Sequence, residues 1–592
     1  MFSIVSFSSY YYDIKIVEGG IMFSQYGSKT DQQYYTLQRI LEESCQKNSS
    51  HIALSYTDEE PITYSDLKRQ IDHLSDFLKD QGVTPGDRVA ILGENSPHWG
   101  IAYFAITTMG AIAVPILPDF NTSEIHHILR HSGSKVIFTS ERYYYKIEDL
   151  NLSEFNSVIL LNDFSIINPE ISKAILRQLI SEGSKELRKI KSLVLSLAGI
   201  IPKEINEDDI ASIIYTSGTT GNSKGVMLTH KNIVWNAFAS AKIPEIDVND
   251  RMLSILPLAH VYECTLGLVL PIICGASVYY IKKPPTAAVL LPALETVKPT
   301  AMLTVPLIIE KMYKTRILPE IKKRFLARLV YKFPLVRKRI NKIAGNKLKE
   351  TFGGAMRFFG IGGAALAPEV ERFLREAEFP YAIGYGLTET SPLIAGANAE
   401  NTRYRSTGPI VPGLEVRIEN QDLRIGIGEI VVRGPSIMKG YYHDPGLTAE
   451  VLSPDGWFHT GDLGNFDKKG YLYIKGRLKN VILGPNGENI YPEVIESVIN
   501  RVDIILESLV FQDNGQLVAR VYFDYDKLDV EFSDLGLTES QARERIRQLC
   551  DEIKKQVNEQ VSSFCRLVRV IEQTEPFEKT PTQKIKRYLY IN

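Results

Sequence analysis

The chain of 592 residues has little cysteine. Its five thiols (Cys45, Cys264, Cys274, Cys550, Cys565) are scattered, odd in number and free of any CxxC pair. That argues against a zinc ribbon or a disulfide scaffold and suits a reducing compartment, so a cytoplasmic location is expected. Charge of one sign is also missing. Lys and Arg number 68, Asp and Glu 70, and the formal net charge is −2. No overall field draws nucleic acid or an anionic surface, and any such partner must be met by a local patch. The opening "MFSIVSFSSYYYDIKIVEGG" lacks a basic stretch followed by an apolar run, so no secretory signal is expected there. "VEGGIM" before Met22 is what a purine-rich ribosome-binding sequence would encode, so residues 1–34 read as an extension with Met22 as an alternative start. Long uncharged runs are scarce. Residues 264–281, "CTLGLVLPIICGASVYYI", are interrupted by Gly267, Pro271 and Gly275, so a core helix and strand are expected rather than a membrane span.

Of what is present, 44% is hydrophobic and 23% charged, the composition of a globular chain with several cores. From about residue 50, β-branched runs alternate with helical stretches. "RVAILGEN" (88–95), "AIAVPIL" (111–117), "KVIFTS" (135–140) and "SVILLND" (157–163) form one strand series, with helices over 65–81 and 97–109. "ASIIYTSG" (211–218), "RMLSILPLAH" (251–260), "AMLTVP" (301–306) and "MRFFGIGG" (356–363) form a second. This alternation predicts an α/β protein whose large N-terminal domain holds two doubly wound sheets. After Thr407 the texture turns to short strands between glycine-rich turns, which predicts a small β-barrel or antiparallel sheet. Beyond about residue 478 a smaller α+β module is expected, with a long polar helix over 538–560. The domains are therefore drawn at 1–34, 35–478 and 479–592.

Residues 311–349 hold fourteen Lys or Arg and one acid, Glu320, interleaved with apolar residues. A solvated helical hairpin packed on the body accounts for this pattern, and a peripheral patch for a membrane's inner face or an anionic ligand is the alternative.

The chemistry centres on "TSGTTGNSKG", which follows the apolar strand "ASIIY". Glycines let backbone N–H groups converge on an anion, the hydroxyls of Thr216, Ser217, Thr219 and Thr220 donate further bonds, and Lys224 adds a full charge. Gly218 and Gly221 supply the turns. The spelling GxxxxGK[ST] is absent, because Lys224 stands between Ser223 and Gly225, so an ordinary P-loop nucleotidase is not expected. Downstream, "YGLTET" (385–390) sets an aromatic beside a hydroxyl and a carboxylate, which can serve a base, a phosphate and Mg²⁺. "WFHTGDLG" places Asp462 where one carboxylate could accept from two ribose hydroxyls.

In this loop, in "YGLTET", in "TGD", in "GRLK" and in "TPTQK", the chain resembles the acyl-adenylate-forming (AMP-binding) superfamily from about residue 35 onward. Ser223 stands where that family usually has Pro, and Gln583 where it usually has Gly. The resemblance implies that Gly362, Gly363 and Ala364 line the adenine pocket, that Tyr385 and Gly386 form its stacking face, and that Thr388 meets the α-phosphate. It further implies that Glu389 binds Mg²⁺, that Asp462 and Arg477 hold the ribose, and that Lys584 enters the site during adenylation. The hinge then falls at Lys479, about which the C-terminal domain turns, and Gly487 lines the coenzyme A tunnel.

"LPLAHVYE" and the basic segment 311–349 make long-chain fatty acid–CoA ligases the most similar branch, with His260, on an apolar strand, beside the acyl carboxylate. The implied cosubstrates are ATP with Mg²⁺, a long-chain fatty acid and coenzyme A. Transfer to an acyl carrier protein, use of another carboxylic acid, or a non-catalytic membrane-associated nucleotide-binding protein are the competing readings.

Overall fold

The computed structural model describes residues 36–151, 154–167, 204–216, 223–322, 330–331, 333–422, 426–484, 489–580 and 584–591, and the backbone of three strands ahead of residue 36. Two seven-stranded sheets carry the large domain. In the first, strands run in the order 440–441, 224–229, 210–216, 112–116, 88–92, 136–139 and 157–160. The last five are parallel, and 224–229 and 440–441 add antiparallel at one edge. The second has the order 381–383, 358–361, 301–304, 251–254, 277–280, 52–56 and 62–63, parallel except for its final pair. The expected α/β architecture of two sheets is thus present, and the predicted strands fall in these sheets except that 251–260 is strand only over Arg251–Ser254.

The helix Pro97–Thr108 touches strands of both sheets. Ser96 caps it by accepting from the Trp99 N–H at 3.0 Å, and Pro97 sits at its first position, where a missing N–H costs nothing. It is apolar around its whole circumference, as a helix buried on every side must be. Trp99, Ile101, Phe104 and Ile106 are fully buried, each burial stabilising by about 1.5–3 kcal/mol.

The third sheet is antiparallel throughout. Its strands 408–409, 471–477, 458–466, 428–433 and 415–419 continue into the N-terminal strands Gly20–Tyr26, Tyr10–Val17 and Val5–Phe7. The pairing order is linear, so of the small barrel or antiparallel sheet expected here the antiparallel sheet is what forms, and the extension 1–34 contributes three of its members. Past Asn480, a three-stranded sheet (505–513, 516–523, 569–573) packs against helices Pro492–Ile499 and Glu539–Asn558 around a core of its own that includes Ile495, Val521, Phe523 and Val557.

The uncharged run 264–281 is a π-helical stretch Cys264–Val269, a helix Leu270–Cys274 and a strand Ser277–Tyr280. Among the described residues no helix is long and apolar enough to cross a membrane. In the basic segment the helix Pro334–Thr351 packs against Pro368–Glu376 through an Arg337–Glu376 ion pair at 2.7 Å and a 2.7 Å bond from Asn341 to the same carboxylate. Its outer side exposes Leu335 (82%) and Ile343 (64%), preceded by Phe333 (62%).

Candidate functional site

Strand Ile210–Thr216 returns as Lys224–Thr229, with Thr216 opposite Lys224. Between them Ser217, Gly218, Thr219, Thr220 and Gly221 lie outside the described residues. The ends of the loop are described: the buried Ser223 hydroxyl has no partner among the described residues, and the Lys224 ammonium stands 5.4 Å from the centre of the Tyr441 ring. That distance allows a cation–π attraction.

Tyr385–Gly386 is a short strand paired with Leu393–Ala395. A Cβ on Gly386 would fall 1.9 Å from the Pro392 carbonyl oxygen, so no other residue fits there. One 3₁₀ turn, Thr388–Thr390, follows. It buries Thr388 and leaves Glu389 half-buried, with the Tyr441 hydroxyl donating to Glu389 Oε1 at 2.9 Å.

Adjacent strands 458–466 and 471–477 set Asp462 opposite Arg477. The buried Asp462 carboxylate takes 2.7 Å from Arg477 Nε on one oxygen and 2.8 Å from the Tyr385 hydroxyl on the other. Burial raises its pKa, and the Arg477 guanidinium, then the tyrosine bond, oppose the rise. Tyr385, Asp462 and Arg477, far apart in sequence, therefore meet in one cluster.

Lys584 reaches the same cluster from the C-terminal module. The turn that carries it is closed by Thr580 N–H to the Lys584 carbonyl at 2.8 Å and by Lys584 N–H to Thr580 Oγ1 at 3.2 Å. The side chain keeps contact with solvent while protein walls it on most sides, the condition of a cleft residue. That surrounding lowers its pKa, the nearby Arg477 lowers it further, and Asp462 and Glu389 act the other way. His260 stands in the same cleft: burial pushes its pKa down to about 4, with the Lys584 charge contributing.

His260 is not on a strand, as its apolar neighbours suggested. The strand ends at Ser254, and His260 caps the turn Val261–Glu263, its Nδ1 accepting from the Tyr262 N–H at 3.2 Å. Just past the strand Phe358–Ile361, Gly362 is so close to Tyr262 that an added Cβ would lie 3.0 Å from its ring. Gly362 is buried, whereas Gly363 and Ala364 are exposed at the strand's end. Lys479 is exposed in the 3₁₀ turn Leu478–Asn480, and Gly487 falls outside the described residues.

Sequence reasoning missed Tyr441 and Tyr262. Tyr441 sits in "KGYYHDP", with no period and no charged motif to mark it. The one local signal was a glycine–aromatic pair, Gly440–Tyr441, which the structure places in the edge strand of the first sheet. Among the described residues no three His, Cys, Asp or Glu group as a metal cage. Mg²⁺ needs no such cage, since it is typically held by one or two carboxylates and substrate phosphates. The single half-buried carboxylate of Glu389, held through one oxygen by Tyr441, fits that demand.

Two mostly parallel sheets, an antiparallel sheet and a smaller module that bring Lys584, Arg477 and the carboxylates of Glu389 and Asp462 together suit a nucleotide-binding class of enzyme. The chain belongs to the AMP-binding enzyme family, whose model matches residues 41–442. It is 30% identical over 576 residues to long chain acyl-CoA synthetase 6, peroxisomal, of Arabidopsis thaliana, covering 89% of this chain and 79% of the relative. It is 29% identical over 581 residues to long-chain-fatty-acid–CoA ligase 5 of Rattus norvegicus, covering 89% and 82%. Among solved structures it resembles O-succinylbenzoate coenzyme A synthetase of Bacillus subtilis in complex with ATP and a magnesium ion, with a TM-score of 0.70, 23% identity and coverage of 94% and 99%.

Proposed function

We propose that this chain joins a long-chain fatty acid to ATP, releasing pyrophosphate to give acyl-AMP, and then passes the acyl group to coenzyme A. One observation carries the reading: Lys584, from a module with its own core, stands beside Glu389, Asp462, Arg477 and His260. That is where a cation is needed when a carboxylate approaches an α-phosphate, since both are anionic.

In the first step the fatty carboxylate oxygen bonds to the α-phosphorus and the bond to the β-phosphate oxygen breaks. Lys584 and Lys224 stabilise the charge that spreads over the phosphoryl oxygens, a contribution of about 10²–10³ in rate for one well-aimed group. Thr216 to Gly221 and Lys224 grip the departing pyrophosphate, and Thr388 meets the α-phosphate. Asp462 and Arg477 now hold each other and Tyr385; with ATP bound, Asp462 exchanges these bonds for the ribose hydroxyls. Glu389 would hold Mg²⁺, and the ion would supply charge neutralisation there. In the second step the thiol sulfur bonds to the acyl carbon, the bond from that carbon to the AMP phosphate oxygen breaks, and the thiol proton passes to solvent. His260, neutral above about pH 4, flanks that carbon without adding charge. The domain beyond Lys479 turns to withdraw Lys584 and to bring Gly487 to the pantetheine path.

The exposed Phe333, Leu335 and Ile343 beside Lys338, Arg339 and Lys342 support peripheral contact with an anionic bilayer, from which an amphiphilic acid would be drawn. The test of the reaction is AMP and thioester formation from palmitate, ATP and Mg²⁺, with coenzyme A compared against holo-acyl carrier protein. Palmitoyl-CoA is expected; thioester on the carrier protein alone would reassign the acceptor, and no AMP with any acid would sink the reading.

A further inference from the structure

Glu263 carries a buried carboxylate that the reaction described above does not use. It is 2% exposed, and the Ser254 hydroxyl donates to its Oε1 at 2.6 Å. Its Oε2 is buried without a partner among the described residues, and a Cβ on Gly267 would lie 2.6 Å from the carboxyl carbon, so the π-helical stretch Cys264–Val269 closes over the acid. Among the described residues the titratable groups around it are Tyr262 and Cys264 beside it in sequence and Tyr280 on the strand Ser277–Tyr280, with no cation among them. An ionised carboxylate with one hydrogen bond in such a place would be costly, and the group stays neutral instead. Burial accordingly pushes it up to about 8, with the Ser254 bond opposing.

The network extends to the loop that delivers His260. Asn95, between strand Arg88–Leu92 of the first sheet and helix Pro97–Thr108, donates to Ser254 Oγ at 2.9 Å and to the Leu256 carbonyl at 2.6 Å, and accepts from the Leu258 N–H at 2.8 Å. Ser254 ends a strand of the second sheet. The chain Asn95–Ser254–Glu263 therefore ties both sheets to the two ends of the segment 254–263, with His260 between them. We propose that Glu263 is a positioning residue which, acting through Ser254 and Asn95, fixes the loop 255–260 and hence the place of His260 beside the acyl carbon.

This inference rests on the reading of His260 given above, and the test separates the two. Single-turnover transfer of preformed palmitoyl-AMP to coenzyme A is measured from about pH 6 to about pH 10 in wild type, Glu263→Gln, Glu263→Leu, Ser254→Ala and His260→Ala, with thermal melting of each. Glu263→Gln keeps the rate within about twofold, whereas Glu263→Leu and Ser254→Ala lose about tenfold to a hundredfold, as misplacement of a group by an ångström or less does. Wild type loses rate as pH rises through about 8 while Glu263→Gln holds. If Glu263→Leu fails to fold, Ser254→Ala and the pH profile of Glu263→Gln decide. A wild-type rate in Ser254→Ala, or an alkaline limb shared by Glu263→Gln and wild type, overturns the positioning role. Should His260→Ala be slow beside an unaffected Ser254→Ala, only this inference falls; should His260→Ala be as fast as wild type, both fall.

Discussion

At Lys584 the surroundings penalise the charge that the reaction requires. Burial and Arg477 lower its pKa, and Asp462 and Glu389 only partly oppose them. The cation is present below its lowered pKa and lost as pH rises through it, so adenylation is expected to fail on the alkaline side before an ordinary lysine, at about 10.4, would titrate. Measured as pyrophosphate release, Lys584→Arg should move that limb upward, and Lys584→Ala should cost about 10²–10³ while leaving transfer from preformed acyl-AMP to coenzyme A near wild type. Equal loss in both half-reactions would refute the role. Tyr441 offers a second residue-level test. Its hydroxyl holds one oxygen of Glu389, the carboxylate proposed above to hold Mg²⁺. Tyr441→Phe should raise the Mg²⁺ concentration for half-maximal adenylation about tenfold or more, with little change at saturating metal. An unchanged Mg²⁺ curve would make Tyr441 a packing residue.

Among elements, the helix Pro334–Thr351 faces two ways. Arg337 and Asn341 anchor it to Glu376, and Leu335 and Ile343 point away from the body. Replacing Lys338 and Arg339 by Glu should abolish co-sedimentation with vesicles containing phosphatidylserine, since each basic residue near such a surface is worth about 1 kcal/mol. Solubilised palmitate should still be activated. Retained binding would place the contact elsewhere. The hinge is a second element whose role can be tried. Proline at Lys479 would fix φ near −65°, so Lys479→Pro should spare adenylation and slow thioester formation. Comparable rates in both steps would move the hinge. Such elements were legible in sequence to different degrees. Strands such as 88–92 and 136–139 were readable because their continuous apolar runs between turns report burial on both faces. The segment 255–260 was not: "ILPLAH" has a strand's apolarity, and only the bonds from Asn95, 161–163 residues away in sequence, hold it as a loop. Long-range hydrogen bonding of this kind leaves no local period.

For the molecule as a whole, the same limit separates the motifs from their convergence. Tyr385, Asp462, Arg477 and Lys584 were each marked by local spelling, but their meeting depends on pairing Asp462 with Arg477 and on docking a module with a separate core. Here that module presents Lys584 to the cleft, the arrangement that the proposed adenylation step uses, whereas the proposed thioester step needs Lys584 withdrawn. Two populated arrangements are therefore expected, with ligands shifting the balance according to which one they bind more tightly. Hydrogen exchange can read this in the intact protein. With ATP, Mg²⁺ and palmitate, the amides of Thr580, Lys584 and Lys586, bonded across the turn, should exchange more slowly than in free enzyme. On adding coenzyme A during turnover they should exchange faster again, while the buried strand Val518–Val521 stays protected throughout. Exchange at 580–586 that ignores coenzyme A would mean that Lys584 never leaves, and the second step would then have to use the cleft as it stands.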